Sequence, residues 1–276
     1  MQKHTVLSLA ISASLLLTPL AKADSVLEFL VKETHDPTGK TQPVLIKDGQ
    51  IMVKGAGGDA NLDFLYSRAQ ESLVVIDHHK RTFMPLDEQQ VNRIAQQTED
   101  VQPLLQGLGQ QIGKLSPKQR EKWESMLGGK VSLDKIAKAA EPAKPANLVK
   151  MGGGKTVAGI ACQPMNVIQG SKPLAELCLA DPAAMKIPSD DYATIRSLFN
   201  FSERLAAKTQ GLAGQFGIKI PNLALREVFG IPIEVRDLSD ENLGSMTLSR
   251  TITSAVAADR MKLPEGYRSE QLNFWK

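Results

Sequence analysis

GKTVAGIACQPMNVIQGSKPLAELCLADP, residues Gly154 to Pro182, holds both cysteines of the chain and reads as two strands. Its apolar residues fall in two runs, Val157 to Ile168 and Leu174 to Ala180, separated by Gln169-Gly170-Ser171, a Gly-centred three-residue hairpin loop. Symmetry about Gly170 sets Cys162 directly opposite Cys178. Facing residues of an antiparallel pair lie roughly 4.5 to 5.5 Å apart at Cα, within the span a disulfide accepts. A crosslink over so short a loop is worth about 3 kcal/mol and fixes the register around it. It names no reaction.

The two cysteines sit in a chain whose start looks exported. Lys3 and His4 precede an apolar run from Val6 to Leu17, and Ala21-Lys22-Ala23 follows as an A-x-A cleavage signal. The run is too short to span a bilayer, so residues 1–23 are expected to be a signal peptide cleaved after Ala23, releasing the product to the periplasm. An oxidising compartment favours a Cys162–Cys178 bond over two free thiols. The full chain carries a net charge of +3; removing Lys3 and Lys22 from 33 basic residues leaves 31 against 30 acidic ones, or +1. That balance gives no reason to expect a nucleic-acid partner, and no later segment reaches transmembrane length.

Upstream of the cysteines, residues 26–86 read as an antiparallel meander of about six strands with one buried face. Val44-Leu45-Ile46 and Ile51-Met52-Val53 flank Asp48-Gly49, a two-residue type I′ signal. Leu62, Phe64 and Tyr66 alternate with Asp63 and Ser67; His35-Asp36-Pro37-Thr38-Gly39, Arg68 to Glu71 and His78 to Arg81 mark turns. Near Asp87, an N-cap, the period changes to 3.6, and Ser116-Pro117-Lys118-Gln119 is a capping box. This predicts a helical insert over 87–140, followed by a linker over 141–150 that begins Glu141-Pro142-Ala143-Lys144-Pro145. Downstream, Ser189 caps a long helix carrying Tyr192, Ile195, Leu198, Phe199, Leu205 and Leu212 on one stripe, ended by Gly214 and Gly217; strands return at Ile231 to Val235 and Ser245 to Ala255. The expected fold is a single α+β domain over 24–276.

Three local patterns resemble a family of uncharacterised exported bacterial proteins, a domain of unknown function: Leu73-Val74-Val75-Ile76-Asp77 with Thr82-Phe83-Met84-Pro85; Gly154 to Cys162 answered by Cys178; and Gly230-Ile231-Pro232-Ile233-Glu234 with Leu263-Pro264-Glu265-Gly266-Tyr267. The order of elements also looks like the LolA/LppX-type periplasmic lipoprotein carriers. That likeness implies a curved antiparallel sheet, a half-open barrel, with helices packed on its concave side around an apolar ligand. It transfers no catalytic residue.

Other chemistries fit poorly. Met151 to Thr156 ends like a phosphate loop, but Val149 stands where that pattern needs glycine and a strand replaces the helix. His78 and His79 are adjacent, and adjacent strand residues point to opposite faces, so with His35 they make no metal site. There is no G-x-S-x-G and no H-E-x-x-H, and Asp190-Asp191 and Asp240-Glu241 read as caps and turns. No enzyme, metal or cofactor is expected. Two readings stand: a non-enzymatic carrier whose apolar ligand or lipid is lined by Phe64, Tyr66, Val75, Met165, Leu198, Phe199 and Leu205, and an envelope assembly protein that meets a protein partner through the helical insert.

Overall fold

A computed structural model of the 276-residue chain describes residues 24–33, 36–56, 59–90, 92–93, 111–112, 114–126, 146–209, 229–238 and 244–271. The signal-peptide region, His35, most of the helical insert and the Gly214 and Gly217 helix stop lie outside them.

The turn chemistry is obeyed where its geometry is most demanding. Asp48 (φ +47°) and Gly49 (φ +76°) both take the left-handed conformation that a type I′ turn requires. They join β2 (Asp36–Lys47) to β3 (Gln50–Val53). With β1 (Asp24–Glu33), β4 (Leu62–Ser67), β5 (Ser72–Asp77) and β6 (Thr82–Leu86) they form the expected six-stranded meander. A second set follows: β7 (Ala146–Lys150), β8 (Lys155–Val157), β9 (Ile160–Gln169), β10 (Lys172–Ala180), β11 (Ile231–Asp237), β12 (Ser245–Ser254) and the two-residue β13 (Arg268–Ser269).

All thirteen strands belong to one sheet, in the order β13-β6-β5-β4-β3-β2-β1-β12-β11-β10-β9-β7, with β8 also on β9. The two sets meet where β12 lies antiparallel to β1. This overturns the expected half-open barrel with helices on its concave side. The sheet is open, ending at β13 and β7, and it is mixed, because β13 returns to pair parallel with β6. Helices are few: among the described residues only α1 (Pro117–Met126) and α2 (Ser189–Thr209) reach ten residues. Strand content is higher than the composition of the 141–150 stretch suggested, because Ala146–Lys150, read as linker, pairs with β9.

The caps form as read. Asp87 Oδ1 accepts from the Gln90 N–H at 2.7 Å, and Gln119 reaches back to the Ser116 N–H at 2.9 Å, the reciprocal half of a capping box. No described helix is long and apolar enough to cross a membrane.

Cys162 and Cys178 are disulfide-bonded, with Cα atoms 5.4 Å apart. They are not directly opposite. Cys178 faces Pro164 and Cys162 faces Ala180. The loop holds two residues, since Gln169 already pairs with Lys172 and Gly170 (φ +64°) takes the first central position of a type II′ turn. A further irregularity between Pro173 and Ala175 shifts the register again, leaving the bond diagonal across the ladder. The run from Val157 is also interrupted: Ala158 and Gly159 (φ +50° and +77°) form a second tight turn between β8 and β9.

Both faces of the meander are covered. On one, Leu27, Ile46, Ile51, Tyr66, Leu73 and Leu86 pack with Ile195, Phe201 and Leu205 of α2. On the other, Val26, Leu45, Met52, Leu65 and Ile76 pack with Val256, Met261, Leu263 and Tyr267, a C-terminal strap that includes the 3-10 turn Ala258–Met261. Each such side chain sealed from water contributes about 2 kcal/mol of transfer free energy.

Candidate ligand-binding site

Side chains two apart on a strand share a face, so the register of the meander sorts the helix-facing residues into rows. One row, Ile46, Ile51, Tyr66, Leu73 and Leu86, is paired strand to strand from β2 to β6 and fully buried. The next row on the same face is Val44, Val53, Phe64, Val75 and Met84, also in unbroken register across five strands. Every member of this second row packs against the same core, yet each stays partly exposed.

The difference follows from how α2 is tied down. Arg68 Nη1 donates to the Asp190 carbonyl at 3.4 Å, Arg204 meets Glu71 at 2.6 Å, and the Tyr66 hydroxyl and Ser197 Oγ lie 2.7 Å apart. Ser25 Oγ donates to the buried carboxylate of Asp191 at 2.7 Å. Arg68 and Glu71 sit in the β4–β5 turn, at the end of the strands that carry the buried row. The second row lies two residues, roughly 7 Å, further from that turn and is only half covered. The result is an apolar shelf beside the helix. Burial pushes the Tyr66 phenol up from its ordinary value, which keeps it neutral as a partner of Ser197.

The seven expected lining residues divide accordingly. Phe64 and Val75 are on the shelf, and Leu198 and Phe199 pack against the same cluster from α2, all four partly exposed. Tyr66 and Leu205 are sealed in the packed layer, at 1% and 4% exposure. Met165 belongs to a separate cluster with Val167, Leu177 and Leu179, which touches Phe199. The sequence reading missed Val44, Val53 and Met84; their in-register pairing with Phe64 and Val75 was the signal available.

His78, expected in a turn, joins a polar cluster built on Asp63 of β4. The Asp63 carboxylate, 3% exposed, accepts from Lys54 Nζ at 2.6 Å, from the Gly55 N–H at 3.1 Å, and pairs with His78 Nε2 at 2.8 Å. His78 Nδ1 lies 2.8 Å from the Tyr267 hydroxyl, and the Arg81 guanidinium sits 5.9 Å from the Tyr267 ring centre. Burial raises the Asp63 carboxyl, but the hydrogen bonds from Lys54, His78 and Gly55 outweigh it and hold it below the usual carboxylate range. Because the folded value lies below the unfolded one, the stabilisation is complete above the ordinary carboxylate pKa and is lost as pH falls through the folded value. Thermal melts between about pH 7 and about pH 3 should therefore show wild type converging on Asp63→Asn as acid is added. A stability gap between the two that stays constant with pH contradicts this. Among the described residues no group of three or more His, Cys, Asp or Glu is placed to hold a metal ion.

No family model and no curated protein matches the sequence. Among solved structures, an uncharacterized conserved protein from Thermus thermophilus aligns over 91% of this chain and 92% of its own, at TM-score 0.40 and 5% identity. PNGF-II, in its P21 crystal form, aligns over 91% of this chain at TM-score 0.40 and 4% identity. This chain spans about a third of PNGF-II, 32% of its length.

Proposed function

We propose that this protein is an exported, non-enzymatic carrier that holds an apolar acyl chain along the shelf beside α2. The observation that carries the reading is the row Val44, Val53, Phe64, Val75 and Met84: five apolar side chains in register, packed against the core yet each partly exposed. Five strands spaced roughly 4.8 Å apart give a row about 19 Å long. One acyl chain in a bilayer leaflet occupies about half of a ~30 Å hydrocarbon core, so it fits along the row. The helix that forms its wall is tied at both ends, so the shelf is pre-organised and binding need not order it. The n-region, h-region and A-x-A pattern of residues 1–23, with the disulfide, support the periplasm as its place of work.

Delipidated protein should bind a fluorescent fatty acid with one site per chain. Phe64→Asp and Met84→Asp should each weaken it about tenfold or more, because a charge on the shelf must be desolvated by the chain. Phe64→Leu should bind nearly as well as wild type. Unchanged affinity in both aspartate variants, with melting curves showing them folded, overturns the reading; so does a delipidated protein that binds nothing.

A further inference from the structure

We infer that Arg268 and Glu270 form the headgroup end of the shelf, and that the acyl chain held there belongs to a zwitterionic lipid whose phosphate meets Arg268 and whose amine meets Glu270. The inference rests on the acyl-chain reading and adds to it the class of headgroup and the direction in which the chain lies.

The two ends of the shelf differ. Toward β1 its row continues in register from Val44 to Leu27, which is 3% exposed, so that end is apolar and closed to water. Toward β6 the row ends at Met84, next to the sheet edge that β13 completes. A lipid buries its chain where water is excluded and keeps its charged head where water remains, because desolvating a charge is costly. The methyl end therefore lies toward Leu27 and the head at β13.

Side-chain alternation decides what β13 presents there. Tyr267 packs in the layer opposite α2, so Arg268 and Glu270 fall on the α2 side. Two contacts agree with that placement. Arg268 pairs with Thr82, which is two residues from Met84 on β6 and so shares the face of the shelf, and Thr82 Oγ1 donates to Glu270 Oε2 at 3.1 Å. Both residues are exposed, and the backbone beneath them is anchored, since the Arg268 and Glu270 N–H groups donate to the carbonyls of Arg81 and Phe83 at 3.1 and 2.8 Å. Among the described residues no carboxylate pairs with the Arg268 guanidinium. The neighbouring charges are already engaged: Asp77 by Lys80 Nζ at 3.2 Å and the Lys80 N–H at 2.9 Å, and Arg81 against the Tyr267 ring. The edge thus offers one cation and one carboxylate, two residues or roughly 7 Å apart along the strand. A guanidinium fork matches a phosphate, and a carboxylate accepts from an ammonium. A purely anionic head would satisfy Arg268 and meet Glu270 as a like charge. A head carrying both phosphate and amine satisfies the two together.

Two lysolipids with the same saturated chain separate the roles: lysophosphatidylethanolamine, which carries the amine, and lysophosphatidylglycerol, which does not. Each is titrated into delipidated full-length protein below its micelle concentration, in competition with a fluorescent fatty acid. Wild type should bind the ethanolamine lipid about threefold more tightly, the scale of an exposed ion pair. Arg268→Gln should weaken both lipids about threefold. Glu270→Gln should weaken only the ethanolamine lipid, by a similar factor, and leave the glycerol lipid as tight as in wild type or tighter. Both side chains are exposed, so melting curves of the variants should overlay wild type. Equal affinity of wild type for the two lipids, no effect of Arg268→Gln, or a Glu270→Gln loss that is the same for both overturns the headgroup assignment. Phe64→Asp keeps the two readings apart: if it still weakens both lipids while the edge variants fail these expectations, the shelf stands and the assignment falls. If wild type binds neither lipid, the shelf falls and the assignment with it.

Discussion

Replacing Tyr66 by alanine should lower the unfolding free energy by about 3 to 5 kcal/mol. Tyr66 is among the most deeply buried large side chains, at 1% exposure, and its ring lies 5.7 Å from that of Phe201 on α2. Its removal opens a ring-sized hole between Ile51 and Leu73, its in-register neighbours, where the helix rests. The backbone of a central strand cannot collapse into that space without breaking ladders on both sides, so relaxation is limited. Tyr66→Phe isolates the polar part. It removes only the 2.7 Å contact with Ser197 and should cost about 1 kcal/mol. Urea denaturation with an unchanged m-value gives both numbers. A Tyr66→Ala loss no larger than that of Tyr66→Phe would show that α2 does not rest on this residue.

Reducing the disulfide should remove about 3 kcal/mol, the chain-entropy value for a loop of this size. The two cysteines are 16 residues apart, both buried, and their Cα separation of 5.4 Å lies at the centre of the usual range. The bond joins β9 and β10, and β9 also carries both β7 and β8. Loss of the crosslink therefore frees one end of the sheet and leaves the meander untouched. Equilibrium urea curves with and without reductant should differ in midpoint by the corresponding amount. In hydrogen exchange the loss should concentrate in β7 to β10. Equal midpoints, or loosening that starts in β2 to β5, contradict this account.

Much of this architecture is legible in the residues. Asp48-Gly49 fixes a hairpin because both positions need a left-handed backbone, and the caps at Asp87 and Ser116 are local hydrogen-bond chemistry. Register around the cysteines was less legible. Gly170 could centre a three-residue loop or open a two-residue one, and the irregularity at Leu174 depends on pairing that no local window contains. The second covered face had a readable sign. Val44-Leu45-Ile46, Ile51-Met52-Val53 and Leu73-Val74-Val75-Ile76 are continuous apolar runs rather than alternations, the pattern of strands buried on both sides. Taking one face as wet placed Asp63 in solvent and hid its bonds to Lys54 and His78. Tyr267 was beyond local reasoning, because 189 residues separate it from His78.

The acyl-chain reading stands on a row of side chains that core packing leaves half open. Methyl NMR of delipidated protein titrated with a saturated fatty acid tests it most directly. The shelf predicts shifts in the methyl signals of Val44, Val53, Val75 and Met84, saturating together at one equivalent, while Val26 and Met52, buried on the opposite face, stay still. Shifts centred on Val26 and Met52, or no saturable change in the four shelf residues, would contradict it.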